Sequence, residues 1–440
     1  MSIPLKKIAV MTRLSTQNAG NEALSLELIS LLRSIYGVND IRALDRYPRH
    51  LEHITLSKLR GEPDVIRAFE RIAQNTIRKA NPSSSGVLAP FANSKTVTLS
   101  SRARELPSGL KKIKRLIGFR RNLARFGLIE KTDFKRTLNT CAWCDLFIWN
   151  PAGEFHPSGD VNQTLRLLLL VRIAQILGKR TAIINHSLEV EDETLSEIIR
   201  YVYSLSDLVT VREKGSLSVA VERLRIPSEK VTQVPDLVFL TARKPAVQSA
   251  ILEPPFEKGA IGLAINGLEA KKGVDEWAEF MGMLEKLGRQ IVFVSNAMHK
   301  DLPFGAELKK HSRVLVFERT PSAEELIRIY SRMDALVSSR LHAAVLALLT
   351  GTPVITIEPQ LFKISGIFED LKYPYQTDFF SNEGWAKRTF ARVKDATEHG
   401  EKIRAAGINA VETFERRILQ TYTERFREIE KHTIAMVTER

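Results

Sequence analysis

Only two cysteines occur in 440 residues, Cys141 and Cys144, so no disulfide framework is implied. Their C-x-x-C spacing invites a zinc or redox reading. Zinc would need a second pair of ligands, and His156 and His186 are isolated singles. A redox pair normally opens a helix, whereas Asp145-Leu-Phe-Ile-Trp149 after it reads as a strand. Two small buried side chains is the plainer account. Long apolar runs are also missing. Even Leu165 to Leu177 is broken by Arg166 and Arg172, so nothing reaches the roughly 18–20 residues of a membrane span. The start, Met-Ser-Ile-Pro-Leu-Lys-Lys, lacks the apolar stretch of a secretory signal. These absences predict a cytoplasmic protein. With 44% hydrophobic and 26% charged residues, the chain reads as globular and too long for one ordinary domain.

Charge is not evenly spread. The chain carries a formal +14, and residues 101–136 alone contribute a net +9. Leu110, Ile113, Leu116, Ile117, Leu123, Phe126 and Leu128 are interspersed among those charges. A basic amphipathic segment of this kind can lie on an anionic bilayer, giving peripheral contact at the inner face of the cell membrane. It can equally be a solvated helix face over an N-terminal domain. Nucleic acid is not expected as a partner, because no nucleic-acid module accompanies the charge.

Alternating strand and helix patterns dominate elsewhere. Strands are expected at 7–11, 145–149, 180–184, 207–211 and 231–234, with helices near 22–35, 161–177, 191–204 and 214–224. A Pro-, Lys- and Glu-rich stretch at 241–258 reads as a linker. A second series follows: strands at 260–265, 290–295, 313–317, 335–337 and 353–357, helices at 274–287, 322–332 and 340–350, and a long final helix near 398–436. The fold expected is α/β, with two Rossmann-like domains facing one cleft. The first spans 1–245 with a basic insertion at 101–136, the second 255–400. A terminal helix, 401–440, packs back toward the first.

Acidic residues are absent from Ala335 to Ile357, where Ser338-Ser339-Arg340-Leu341-His342 precedes the wholly apolar Ala343 to Leu349. Serine is a good N-cap, so a buried helix is expected to start at Ser338 or Ser339, with Arg340 and His342 in its first turn. A guanidinium with no local counter-charge, beside free helix amides, calls for an anion. Asp207-Leu-Val-Thr-Val-Arg212 echoes Asp334-Ala-Leu-Val-Ser-Ser-Arg340 in the other half. Each places an arginine where a parallel strand meets a helix, the edge at which open α/β sheets bind ligands.

The run from Asp334 to Ala347, then Gly351-Thr-Pro-Val-Ile and Lys363, resembles the C-terminal motif of polysaccharide pyruvyl transferases. Asn18-Ala-Gly-Asn-Glu-Ala-Leu, Ser206 to Ser216 and Val234-Pro-Asp236 resemble that family's first loop, central strand-to-helix turn and Pro-Asp step. Departures fall in the N-terminal half: Asn21-Glu22 for Asp-Glu, Pro151-Ala152-Gly153-Glu154 for a glycine-rich loop, and Asn185-His186-Ser187-Leu188 for Ser-x-Gly-Pro. The resemblance implies a GT-B-like fold and transfer of pyruvate from phosphoenolpyruvate to sugar hydroxyls as a ketal. The acceptor would be a cell-surface polysaccharide or its lipid-linked oligosaccharide precursor. Arg340 and the amides at Leu341 would hold one anionic end of the donor and Arg212 the other. Lys363 would offset the departing phosphate, and His342 would serve as general acid or base. Asn18, Asn21, Glu22, Glu154 and Asp236 are acceptor-side candidates. Turn and N-cap chemistry is the plainer account of Asn18, Asn21 and Glu22, with Asn21 as cap and Glu22 in the first turn. No metal or cofactor is called for beyond phosphoenolpyruvate as the donor substrate.

Two other readings stay open. One is a nucleotide-sugar glycosyltransferase of the same architecture, using Glu358 for ribose hydroxyls. The other is a non-catalytic protein whose basic segment binds membrane or a polyanion.

Overall fold

The computed structural model describes residues 5–13, 18–38, 40–45, 51–80, 134–156, 159–243, 254–270, 274–319, 321–359 and 363–438. The basic stretch lies outside them apart from residues 134–136, as do 244–253 of the expected linker.

The first half forms a seven-stranded sheet. Its strands are β1 (Lys7–Thr12), β2 (Asp40–Asp45), β3 (Leu146–Trp149), β4 (Ala152–Phe155), β5 (Arg180–Leu188), β6 (Leu208–Val211) and β7 (Val231–Gln233). The order is β2-β1-β3-β5-β6-β7, with β4 beside β5, and every pairing is parallel. The near-continuous apolar runs of β1 and β3 fit strands covered on both faces. Helices α1 (Ala19–Tyr36), α2 (Val65–Ala80), α3 (Phe134–Trp143), α4 (Val161–Ile176), α5 (Glu193–Ser204) and the short α6 (Lys214–Ser218) connect and cover them.

The second sheet has six strands: β8 (Ala260–Ala264), β9 (Ile291–Phe293), β10 (Val314–Val316), β11 (Met333–Ser338), β12 (Val354–Glu358) and β13 (Asp378–Phe379). Its order, β10-β9-β8-β11-β12-β13, is again wholly parallel. It is the doubly wound order in which the crevice opens where the winding reverses, between β8 and β11. Beyond a single turn at Gly267–Ala270, the helices here are α7 (Val274–Glu285), α8 (Met298–His311), α9 (Ala323–Tyr330), α10 (Leu341–Leu348), α11 (Lys363–Asp370), α12 (Trp385–Glu398) and α13 (Gly400–Thr438).

Strands β2, β4 and β13 and helices α3 and α11 have no counterpart in the expected series, and three further elements depart from it. Val65–Ala80 is a strongly amphipathic helix inside a stretch that gave no clear pattern. Met298–His311 is the helix that joins parallel β9 to β10, hidden in sequence by Pro303 within it. The stretch expected as one helix at 214–224 is α6 followed by a π-helical turn, Val219–Arg223.

The last helix, α13, touches both halves. Near its start Arg404 packs against Gly351, and further on Phe414 sets its ring 5.1 Å from that of Phe239. Beyond that, the Tyr422 hydroxyl bonds Thr210 at 2.8 Å, and Tyr36 donates to the Phe426 carbonyl at 2.7 Å. Among the described residues no helix is long and apolar enough to cross a membrane.

Candidate functional site

The carboxyl ends of the two sheets face each other, and the side chains between them come from both. Asn18, after β1, bridges to Ala297, which follows β9. Gly20, in the first turn of α1, lies so close to His342 that a methyl group there would overlap the imidazole. Gly153 faces Lys363, whose Nζ would stand 2.7 Å from a Cβ at that position. Gly366 packs likewise on the Glu213 side chain. These glycines bring backbone from one half against functional side chains of the other.

Arg340 and His342 occupy the winding reversal of the second sheet. The helix begins one turn-step later than expected: Ser338 ends β11, Arg340 is the N-cap residue, and His342 is the second residue of α10. The Ser338 hydroxyl accepts from the Arg340 amide at 3.1 Å and donates to the Ala264 carbonyl at 3.1 Å. It is spent on the turn and does not cap α10. The N-cap residue makes no side-chain bond to this helix, and amides at such a helix start suit an anion.

The counter-charge expected to be missing from Arg340 is present. Its Nη2 bonds the carboxylate of buried Asp301 from α8. Asp301 also accepts from the amides of Asn296 and Ala297 at 3.0 and 2.8 Å, spreading its charge over three donors. Arg340 therefore needs no ligand for charge balance. Its Nε–H nonetheless has no acceptor, and its side chain stays 15% exposed.

Arg212 differs more from expectation. Instead of reaching an anion across the gap, it is 1% exposed and bonded internally. Nη1 donates to Asp236 at 2.5 Å and Nη2 to Ser187 at 2.7 Å. Asp236 is a fully buried ion-pair partner and presents no group to an incoming hydroxyl. Burial by itself would raise its carboxyl, but the Arg212 guanidinium and the His342 imidazole outweigh that and hold it well below the usual range. His342 Nε2 lies 3.5 Å from Asp236 and makes no hydrogen bond of good geometry there. Arg212 thus positions the carboxylate that faces the histidine.

Asn21, expected as the N-cap of α1, lies inside that helix. Asn18 is the cap, its Oδ1 accepting from Gly20 and Asn21 amides at 3.0 and 3.2 Å. Glu22 sits in the first turn, where its charge suits the helix dipole. Glu154 is on β4, buried to 8% exposure. Lys363 opens α11. Behind it, Glu358 accepts from the Ile364 and Ser365 amides at 2.8 and 2.9 Å, one bond on each oxygen. Burial pushes its carboxyl up to about 7 against those bonds.

Several residues had no signal strong enough to single them out. Asp301 lies 39 positions before its arginine. Glu213, next to Arg212, is fully buried and bonded to Ser187 at 3.1 Å. Burial pushes its carboxyl up to about 7, opposed first by Arg212. His186, in one of the segments that departs from the family pattern, is interior to β5 and bonds Tyr203 at 2.7 Å. Burial and nearby Arg212 push it down to about 3, so it stays neutral and structural. The preceding Asn185 takes a left-handed φ of 58°, and Ala152 one of 54° in place of a loop glycine. Cys141 and Cys144 are both buried and free, and burial raises both thiols, Cys144 to about 12. Thiols so raised are poor nucleophiles.

Gly20→Ala tests the contact between halves. It should lower turnover at least tenfold through a displaced imidazole, since a shift of about 1 Å at a reacting group costs on the order of 10²-fold. The far-UV circular dichroism should stay unchanged, because alanine suits a helix start.

A family model described as polysaccharide pyruvyl transferase matches residues 18–360. Comparison with curated sequences gives no match. Among solved structures, a putative UDP-N-acetylglucosamine 2-epimerase from Listeria monocytogenes superposes with a TM-score of 0.53 at 10% identity, covering 96% of this chain and 97% of that one. The α,α-trehalose 6-phosphate synthase of Burkholderia multivorans gives 0.52 at 11%, covering 100% and 99%. UDP-GlcNAc 2-epimerase from Neisseria meningitidis gives 0.51 at 11%, covering 96% and 100%. At such identities the likeness is one of fold, and the fold is GT-B-like.

Proposed function

Because the chain belongs to the polysaccharide pyruvyl transferase family, we propose that this transferase moves the pyruvyl group of phosphoenolpyruvate onto two hydroxyls of a sugar, forming a ketal. The observation that carries this reading is the uncapped start of α10, where Arg340, the Leu341 amide and His342 meet the first half at Gly20 and Asp236.

Phosphoenolpyruvate is a compact polyanion, and the site offers it several cationic or dipolar groups. The free amides of α10 and the Nε edge of Arg340 can take one end. Lys363, reaching toward Gly153, can take the phosphate as its charge grows. Arg212 stays in the wall and holds Asp236 ionised beside His342. In the reaction the imidazolium of His342 gives a proton to the methylene carbon, leaving an oxocarbenium-like centre. The first sugar hydroxyl adds to that centre and its proton restores the imidazolium. The C–O bond to phosphate then breaks, the second hydroxyl adds, and its proton leaves with inorganic phosphate. The Asp236 carboxylate, 3.5 Å from Nε2, faces the imidazole at the step where it must donate.

A nucleotide-sugar donor would need a carboxylate for ribose, and both Glu358 oxygens already accept backbone amides. The membrane or polyanion reading rested on residues 101–136, which lie outside the described residues apart from 134–136.

Thermal unfolding with each donor separates the two enzymatic readings. Phosphoenolpyruvate at 100 times its Kd should stabilise the protein by about 2.7 kcal/mol through binding to the folded state, and UDP-sugars should give no shift. A shift with UDP-sugars alone would overturn the assignment of the donor.

A further inference from the structure

A cavity of about 320 Å³ opens on the first half at the carboxyl ends of β4 and β5. Its walls are Glu154 to His156 from β4, Glu189 to Asp192 after β5, the start of α4 at Val161 and Thr164, and Arg60. Its volume is at the small end for a ligand site, about that of a monosaccharide with some water. Phe155 forms an apolar side, held by rings of Trp149 and His186 at 5.4 and 5.2 Å. Val190 and Leu195 extend that surface.

The polar lining has one dominant sign. Glu154, Glu189 and Glu191 line the space with Asp192, whose two oxygens are taken by the Arg60 guanidinium and the Leu195 amide. Arg60 is already paired with Asp192. His156 is held toward its neutral form by burial and by nearby Lys363 and Lys300. Among the described residues no three His, Cys, Asp or Glu side chains gather at metal-binding distance. A spread of carboxylates beside an apolar wall accepts hydrogen bonds from several hydroxyls at once and repels any anion.

The cavity also adjoins the proposed donor site. Glu154 follows Gly153, the residue against which Lys363 packs. Burial raises the Glu189 carboxyl, and that same lysine opposes the rise.

We propose that this cavity binds the terminal sugar of the acceptor and selects an uncharged pyranose over uronic acids and phosphorylated sugars. The idea rests on the reading that the acceptor is a sugar, and it adds where that sugar sits and which charge class is refused. Carboxylates of the cavity orient the ring by its hydroxyls, and the pair to be bridged is left pointing toward Lys363.

Saturation-transfer NMR on the full chain without phosphoenolpyruvate tests this. The probes are methyl pyranosides of gluco, galacto and manno configuration, their 2-N-acetyl forms and the matching 6-uronates, each at millimolar concentration. At least one uncharged glycoside should give signal, and no uronate should. Glu189→Gln combined with Glu191→Lys should weaken the uncharged ligand at least tenfold. Glu191→Lys alone should admit the matching uronate, and because Glu191 is exposed this variant should fold normally. Silence from every uncharged glycoside, equal binding of uronates, or an unchanged double variant would each overturn the proposal. Thermal shift by phosphoenolpyruvate on the same samples keeps the two readings apart. If that shift persists while no glycoside binds, only the cavity assignment fails. If glycosides bind as described and phosphoenolpyruvate gives no shift, only the donor assignment fails.

Discussion

His342→Ala lowers phosphate release from phosphoenolpyruvate by about 10²–10⁴-fold, the span expected when a positioned acid–base group is removed. Donor-dependent thermal stabilisation persists, because the α10 amides, Arg340 and Lys363 remain in place. The effect is this large for a geometric reason. The imidazole stands at the meeting of the two halves, 11% exposed, with a carboxylate 3.5 Å from Nε2 and the backbone of Gly20 against its other side. The two junction carboxyls that burial pushes up to about 7, Glu213 and Glu358, spend their oxygens on internal donors. Glutamine at 342 keeps the volume but cannot cycle a proton, so it should be as inactive as alanine. Unchanged phosphate release in a stopped assay with either variant would remove His342 from the chemistry.

Asp236→Asn costs about 3–5 kcal/mol of folding stability, the usual result of removing one partner from a buried ion pair. Arg212 is left 1% exposed with its charge no longer matched at Nη1. The lower end of that range is expected, because Glu213 lies 4.0 Å from the Arg212 Nε and can ionise to replace the lost charge. Urea unfolding measures the loss, with the slope of the transition unchanged. The pH dependence carries the sign. The Asp236 carboxyl is depressed in the folded protein, so its contribution is complete above the ordinary carboxylate range and is lost as pH falls through it. The variant should therefore show a flatter acid limb than the parent. If the two unfold at the same urea concentration, Arg212 is not held in place by this pair. Turnover should fall as well, since His342 loses the carboxylate that faces its Nε2.

The sequence by itself determined most of the two series of parallel strands, because their apolar runs fit a sheet covered on both faces, while β2, β4 and β13 left no such run. The buried helix after Ser338-Ser339-Arg340 was legible for the same reason, being apolar on every side. It was legible too that a histidine and an arginine stand together at a strand end, since strand and helix periods locate such an edge directly. The family followed from residues within those local segments. Tertiary structure alone decided what the charges do. Local sequence leaves Arg340 uncompensated, yet Asp301 arrives from α8, a helix masked by its own proline. Arg212 matches Arg340 in position along its strand but lies at the other end of the winding order, where Asp236 and Ser187 enclose it. Pairing between residues 24 to 39 positions apart leaves no periodic trace, because electrostatic partners are chosen by which loops the sheet order brings to one edge. The acidic cavity is of the same kind: its carboxylates come from two strand ends and meet only once β4 lies beside β5.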